Sequence, residues 1–174
     1  TKDLSGFHIG YGAIQQAPGV YDKNVKTDDI AKLNNAVFAT NGDFAMHAPN
    51  TWSGKVIREG RIFDALESGG IKEYDIATVY DYQVNCDDFL VMYPDGEMVA
   101  YTDKDDITYG NLLEAGVENF LSFGPILVRD DEKTSACTDP GYYISGPNPR
   151  CAWGMVEAGH YIAVVADGRQ SGVS

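Results

Sequence analysis

The sequence is short of positive charge. Thirteen lysines and arginines stand against 26 aspartates and glutamates in 174 residues, a net charge of −13. No nucleic-acid partner is expected, because such a surface needs a basic stripe. An anionic substrate would meet a repulsive average field, so any site for one needs a local cluster of arginines. Cysteine is also scarce: Cys86, Cys137 and Cys151 are the only three, with no Cys-x-x-Cys pair. That argues against the common zinc and thioredoxin-type arrangements and leaves open either one disulfide or none. The three histidines, His8, His47 and His160, lack His-Glu-x-x-His spacing, so a histidine-rich metal site is not expected. There is no Gly-x-x-x-x-Gly-Lys phosphate loop and no Gly-x-Ser-x-Gly elbow. No run is long and apolar enough for a membrane helix, and no signal peptide is visible. A trimmed mature chain would look the same, so the compartment stays open.

What remains is ordinary globular material, with 44% hydrophobic and 22% charged residues. The length suits one domain with a real core. Residues 7–17 read as a strand bent at its glycines. Thr27 or Asp28 caps a short helix over 29–35. Residues 36–40, Ala-Val-Phe-Ala-Thr, read as a buried strand. A polar, aromatic loop follows over 45–54. A hairpin is expected about Gly60, from 55–59 to 61–63. Residues 74–82 read as strand-like. Pro94-Asp95-Gly96 joins strands at 89–93 and 98–102. The acidic stretch 103–106 is a solvated connection. Thr108 caps a helix to Ala115 that Gly116 closes. An apolar strand over 120–128 is interrupted by Gly124-Pro125, which marks a bulge, an edge or a close approach. Many strands and two short helices make the expected class α+β: a single domain with a mixed, mainly antiparallel β-sheet core and short helices.

Two places stand out chemically. Residues 151–157 and 160–166 are apolar runs joined by Ala158-Gly159, a hairpin signature. The second run is continuously apolar from Tyr161 to Ala166, as in a strand buried on both faces. Each strand ends in a turn that carries an arginine: Asn148-Pro149-Arg150 before the first, and Asp167-Gly168-Arg169 after the second, followed by Ser171. In an antiparallel pair those tips lie together. Two guanidiniums and several exposed amides suit a phosphate or carboxylate. Arginines beside an ordinary surface turn are the plain alternative. The second place is Asn41-Gly42-Asp43, where a sharp turn would leave two polar side chains at a strand end. A simple hairpin turn reads equally well there.

The order of several segments resembles a known family. Ala-Val-Phe-Ala-Thr-Asn-Gly-Asp-Phe (36–44) is followed by Gly-Lys-Val-Ile-Arg-Glu-Gly-Arg-Ile-Phe (54–63) and a Pro-Asp-Gly hairpin. Then come Phe-Gly-Pro-Ile-Leu-Val (123–128), Asn-Pro-Arg-Cys-Ala-Trp-Gly (148–154) and Val-Val-Ala-Asp-Gly-Arg-Gln-Ser-Gly (164–172). Over roughly residues 30–174 the chain resembles the phosphodiester glycosidase domain. That family is typified by N-acetylglucosamine-1-phosphodiester α-N-acetylglucosaminidase and includes bacterial proteins labelled exopolysaccharide biosynthesis proteins. The resemblance implies hydrolysis of a sugar-1-phosphodiester, with release of the sugar from a phosphorylated aglycone, in an extracellular or cell-surface setting. A non-catalytic carbohydrate or sugar-phosphate-binding domain of envelope assembly is the alternative.

The matched positions imply a site. Asp43, Asp167 and Arg150 are the expected catalytic residues. Asn41, Gly42, Arg58, Gly124, Asn148, Gly168, Arg169 and Ser171 are the expected substrate contacts. Arg150 and Arg169 would hold the phosphate, and Asp43 or Asp167 would be base or nucleophile. Calcium bound at Asp167 is an open alternative role for that carboxylate. The family pattern continues past Ser171-Gly172 into a helix and an Asp-Gly-Gly-Gly-Ser-Ser segment. The resemblance therefore implies that the domain over 1–174 is incomplete at its C-terminus, with a companion C-terminal fragment as an expected partner. Cys151 stands where a threonine is common, and Trp153 is larger than the residue expected.

Overall fold

The computed structural model describes residues 7, 9, 26–42, 55–65, 71–86, 88–122, 124–138 and 148–168. Among these residues ten short strands form four antiparallel sheets, with three short α-helices, so the chain is α+β. Most of the expected strand over 7–17 lies outside the described residues.

The first sheet joins β1 (Val56–Arg58), β2 (Arg61–Ala65) and β3 (Ile71–Tyr74) in that order. Its first hairpin turns on Glu59 and Gly60, both with positive φ (51° and 70°), between the paired Arg58 and Arg61. Two left-handed residues match the right-handed strand twist, which is why this two-residue loop closes cleanly. The second sheet places β4 (Phe89–Met92) between β5 (Met98–Tyr101) and β6 (Asn119–Ser122). Gly96 (φ 91°) and the Asp95 carboxylate, which accepts from Glu97 N at 3.0 Å, shape the β4–β5 turn. A two-stranded pair, β7 (Val128–Arg129) and β8 (Glu132–Lys133), follows.

Helix α3 (Tyr109–Glu114) carries a reciprocal cap. Asn111 N donates to Thr108 Oγ1 at 3.1 Å, and Thr108 N donates to Asn111 Oδ1 at 3.0 Å. Gly116 (φ 77°) stops it, as its sequence position predicts. Helix α1 (Thr27–Leu33) starts two residues earlier than expected, and Lys26 at its N-cap has no side-chain capping bond. No helix among the described residues is long and apolar enough to cross a membrane.

Three expectations are corrected here. Residues 74–82 are not one strand: β3 ends at Tyr74 and helix α2 (Ile76–Val79) begins. The cause is Asp75, whose carboxylate accepts from Ala77 N at 2.9 Å and caps a helix inside an apolar run. Residues 36–40 form no strand, and Val37 and Phe38 are exposed. Asn35 (φ 50°) turns the chain left-handed after α1, and Ala36 N closes back on Ala31 O at 2.9 Å. The third correction concerns the last pair, β9 (Arg150–Glu157) and β10 (His160–Ala166). The hairpin forms about Gly159 (φ 81°) as expected, but β10 is not buried on both faces: Val164 is 53% and Val165 61% exposed.

The buried cluster runs from Val56 to Phe120 and includes Ile57, Ile62, Val79, Phe89, Val91, Tyr109 and Leu112. It is fed by both three-stranded sheets and α3. The ribbon β9–β10 rests on this body through its turn half. Tyr161 Oη donates to Gly96 O at 2.6 Å, and Met155 Sδ lies 3.1 Å from Met98 N.

One half-buried device ties β7 to the loop after β5. Arg129 donates to both Asp105 oxygens, at 3.0 and 2.9 Å. Asp105 also accepts from Thr102 N at 2.7 Å. The Arg129 bond, then the Thr102 amide, hold the Asp105 carboxyl down from 3.8 to about 2. A depressed carboxylate contributes stability that is present above its unfolded pKa and lost as pH falls through the folded one. Urea midpoints should therefore drop between about pH 4 and pH 2. After discounting for solvent, the share due to this pair is roughly 1 kcal/mol. Asp105→Asn should remove that part of the slope; an unchanged slope would show that the pair carries no linkage.

Candidate functional site

The register of the ribbon decides what meets at its open end. Arg150 pairs with Ala166, the last rung of the ladder. Asn148 and Pro149 precede it, and Asp167 and Gly168 follow on the other strand. These two turns touch through their backbones. A Cβ on Gly168 would lie 1.9 Å from the carbonyl carbon of Asn148 and 2.2 Å from Pro149 N. Only glycine fits such an approach. Four of the expected site residues, Asn148, Arg150, Asp167 and Gly168, are thus brought to one tip. The tip lies roughly 20 Å along the strands from the anchored turn half, at about 3.3 Å per residue.

Arg150 is held at its root. Its Nη1 donates to Pro149 O at 3.1 Å. Its Nη2 is buried and has no hydrogen-bond partner. A buried guanidinium N–H without an acceptor is costly and geometrically ready for an anion's oxygen. Asp167 is exposed beside it. Among the described residues no group of three or more His, Cys, Asp or Glu could hold a metal ion.

The segment that carries Asn41 and Gly42 touches the ribbon through Phe38. Phe38 stands edge-on to Trp153 of β9, with ring centroids 5.6 Å apart. Four residues later a Cβ on Gly42 would meet Leu121 Cδ2 of β6 at 3.0 Å. This segment therefore passes from the ribbon to β6. Phe7 also contacts Trp153 edge-on, at 5.7 Å.

Two expected substrate contacts sit elsewhere. Gly124 packs on Asp88: a Cβ would fall 2.5 Å from Asp88 Cβ, and Ile126 N donates to Asp88 Oδ2 at 2.6 Å. Arg58 is 1% exposed, inside the fold. Its guanidinium donates to Ile57 O at 2.7 Å and to Phe120 O of β6. Asp43, Arg169 and Ser171 lie outside the described residues.

A cleft of about 400 Å³ between β3 and α2, lined in part by Lys72, Tyr74, Thr78 and Tyr82, contains none of the expected site residues. Two of its acids are already engaged: Glu73 pairs with Arg61 at 3.4 Å, and Asp75 caps α2.

Two substitutions separate scaffold from site. Arg58→Ala leaves buried carbonyls without their donor and should cost roughly 2–4 kcal/mol in urea unfolding. Unchanged stability there would contradict its placement inside the fold. Gly168→Ala should lower the unfolding free energy less than Arg58→Ala does, because the core lies elsewhere, while splaying the tip. The splaying is read as altered NMR shifts confined to residues around 148–150 and 166–168; shifts spread through β4–β6 would contradict it.

No curated protein and no solved structure matches the chain. A family model described as phosphodiester glycosidase matches residues 34–174. The match takes in both three-stranded sheets, the Asn41-Gly42 segment and the whole ribbon with its arginine tip. The chain therefore belongs to the phosphodiester glycosidase family.

Proposed function

We propose that the chain hydrolyses a sugar-1-phosphodiester of the N-acetylglucosamine-1-phosphodiester type, acting on surface or extracellular glycans. The observation that supports this most directly is Arg150, with a buried, unpartnered Nη2 at the ribbon tip of a member of this family. The net charge of −13 adds weight to a local cation. Only a cluster fixed close to the phosphate overcomes the mean field.

In this reading the anomeric C–O bond breaks and the phosphate monoester leaves with the bonding electrons. Water adds to the anomeric carbon, and a carboxylate takes its proton. A phosphodiester oxygen is already a fair leaving group, so the main requirement is to offset the charge that grows on the phosphate. Arg150 supplies that, with its root fixed on Pro149 O. Asp167 beside it and Asp43 are the two carboxylates available for the water. Arg169, next in sequence to Gly168, is the expected second phosphate donor.

The test is release of free N-acetylglucosamine from an N-acetylglucosamine-1-phosphodiester. Arg150→Ala should lower kcat by about 10²-fold or more without lowering the melting temperature. Arg150→Lys should recover only part, because a point charge does not reproduce the forked donor. Wild-type binding of the diester without any sugar release would point instead to a non-catalytic sugar-phosphate-binding domain.

A further inference from the structure

Strand β10 has a long free edge. Among the described residues it pairs with β9 alone, so no strand meets the main-chain groups along its outer side. Ile162 is 50%, Val164 53% and Val165 61% exposed. Neighbours in a strand project to opposite faces, so apolar surface lies open on both sides of this edge. Such an edge is a template for another strand, and folded proteins usually blunt it with charge, proline or a bulge. β9 is blunted in this way. It carries Arg150 and Glu157, and Val156 is an extra residue between the rungs Met155–Tyr161 and Glu157–His160. β10 carries no such charge or proline: residues 160–166 contain no Asp, Glu, Lys, Arg or Pro.

Three observations choose the occupant. The first is charge. Each chain carries −13, so two copies repel over most of their surface and meet best along a stretch without formal charge. The second is register. Antiparallel pairing of β10 with itself about Ala163 sets Ile162 opposite Val164 of the second copy and Tyr161 opposite its Val165. Ala163 then faces its own equivalent. Each pair shares a face, and β-branched and aromatic pairs of this kind stabilise sheets. The same operation on β9 about Trp153 would set Arg150 against Val156. The third is the ribbon itself. Two strands alone are marginal, and this pair adds no residue to the buried cluster.

We infer that β10 pairs edge to edge with β10 of a second copy, making one four-stranded antiparallel sheet from two ribbons. The operation is a two-fold, so the assembly closes at two chains. The two tips lie at opposite ends of that sheet. Arg150, on β9, stays off the shared edge, and both candidate sites remain open.

The test is sedimentation equilibrium of the full chain at about 0.15 M salt, where repulsion is screened beyond about 8 Å. The mass should rise from one chain to two across about 1–100 µM and go no further. Val164→Lys and Val165→Lys lie on opposite faces of the same strand. Each should weaken the dimer by about 10-fold or more, because pairing would bury the added charge. Each lysine also reduces the net negative charge, so the mean field alone would favour association. Val156→Lys, on β9, should leave the dimer unchanged. Circular dichroism checks that each variant folds, and Ile162→Lys replaces Val164→Lys if that one does not. A wild type that stays monomeric would overturn the inference, whether another segment of the chain or a foreign strand then occupies the edge. So would a mass that keeps growing with concentration. Weakening by only one of the two valine variants would show contact through a face, and weakening by Val156→Lys would show contact through β9. Either result overturns pairing along β10.

Discussion

The body of this fold depends on how the outer edge of β6 is satisfied. β6 pairs with β4 on one side only. The Phe120 carbonyl, and that of Glu118 just before the strand, are met from the first sheet. Gly60 N donates to Glu118 O at 3.0 Å, and the Arg58 guanidinium donates to Phe120 O. A bare strand edge buried without partners would be expensive, and an exposed one would invite foreign strands. Arg58 meets the need without a continuous ladder between β1 and β6. That join lets Val56, Ile57, Phe89 and Phe120 share one buried cluster. It also explains why β1 is buried at all three of its residues, the arginine included.

The site lies outside that body. The ribbon β9–β10 contributes no residue to the buried cluster and leans on the β4–β5 turn through Tyr161 and Met155. Its tip is fixed by local means: the final Arg150–Ala166 rung and the contact of Gly168 with Asn148 and Pro149. A functional group placed there is held by strand register rather than by core packing. Changing it has little leverage on global stability, whereas changing Arg58 acts on the core itself.

Turn chemistry explains what was legible. Glu59-Gly60, Pro94-Asp95-Gly96, Thr108 with Gly116, and Ala158-Gly159 each close an element through bonds within a few residues, so the sequence carries the information locally. Where burial or pairing decided the outcome, the sequence misled. Residues 36–40 and 161–166 are apolar enough for buried strands, yet apolarity does not say what covers a segment. Asp75 was readable as a helix cap but sat inside a run that also read as strand. In the site, the meeting of Asn148, Arg150, Asp167 and Gly168 follows from antiparallel register alone. The family motif around Arg58 said nothing of its burial, because its acceptors are main-chain carbonyls, one of them 62 residues away.

Arg58 and Arg150 show how one side chain takes two roles. Both carry the same five donors and both bond a neighbouring carbonyl, Ile57 O and Pro149 O. Arg58 lies beside a strand whose outward carbonyls need donors, so its guanidinium joins the sheet edge. Arg150 is the last rung of its ladder, where the partner strand gives way to Asp167 and Gly168. Its Nη2 therefore meets no main-chain acceptor. An unmet donor of this kind costs about 1–3 kcal/mol. The fold tolerates it at the tip because the packing that stabilises the chain lies between residues 56 and 120. A position where the ladder ends, beside a glycine that lets two backbones touch, is where a guanidinium can be held firmly and still have a hydrogen bond to give.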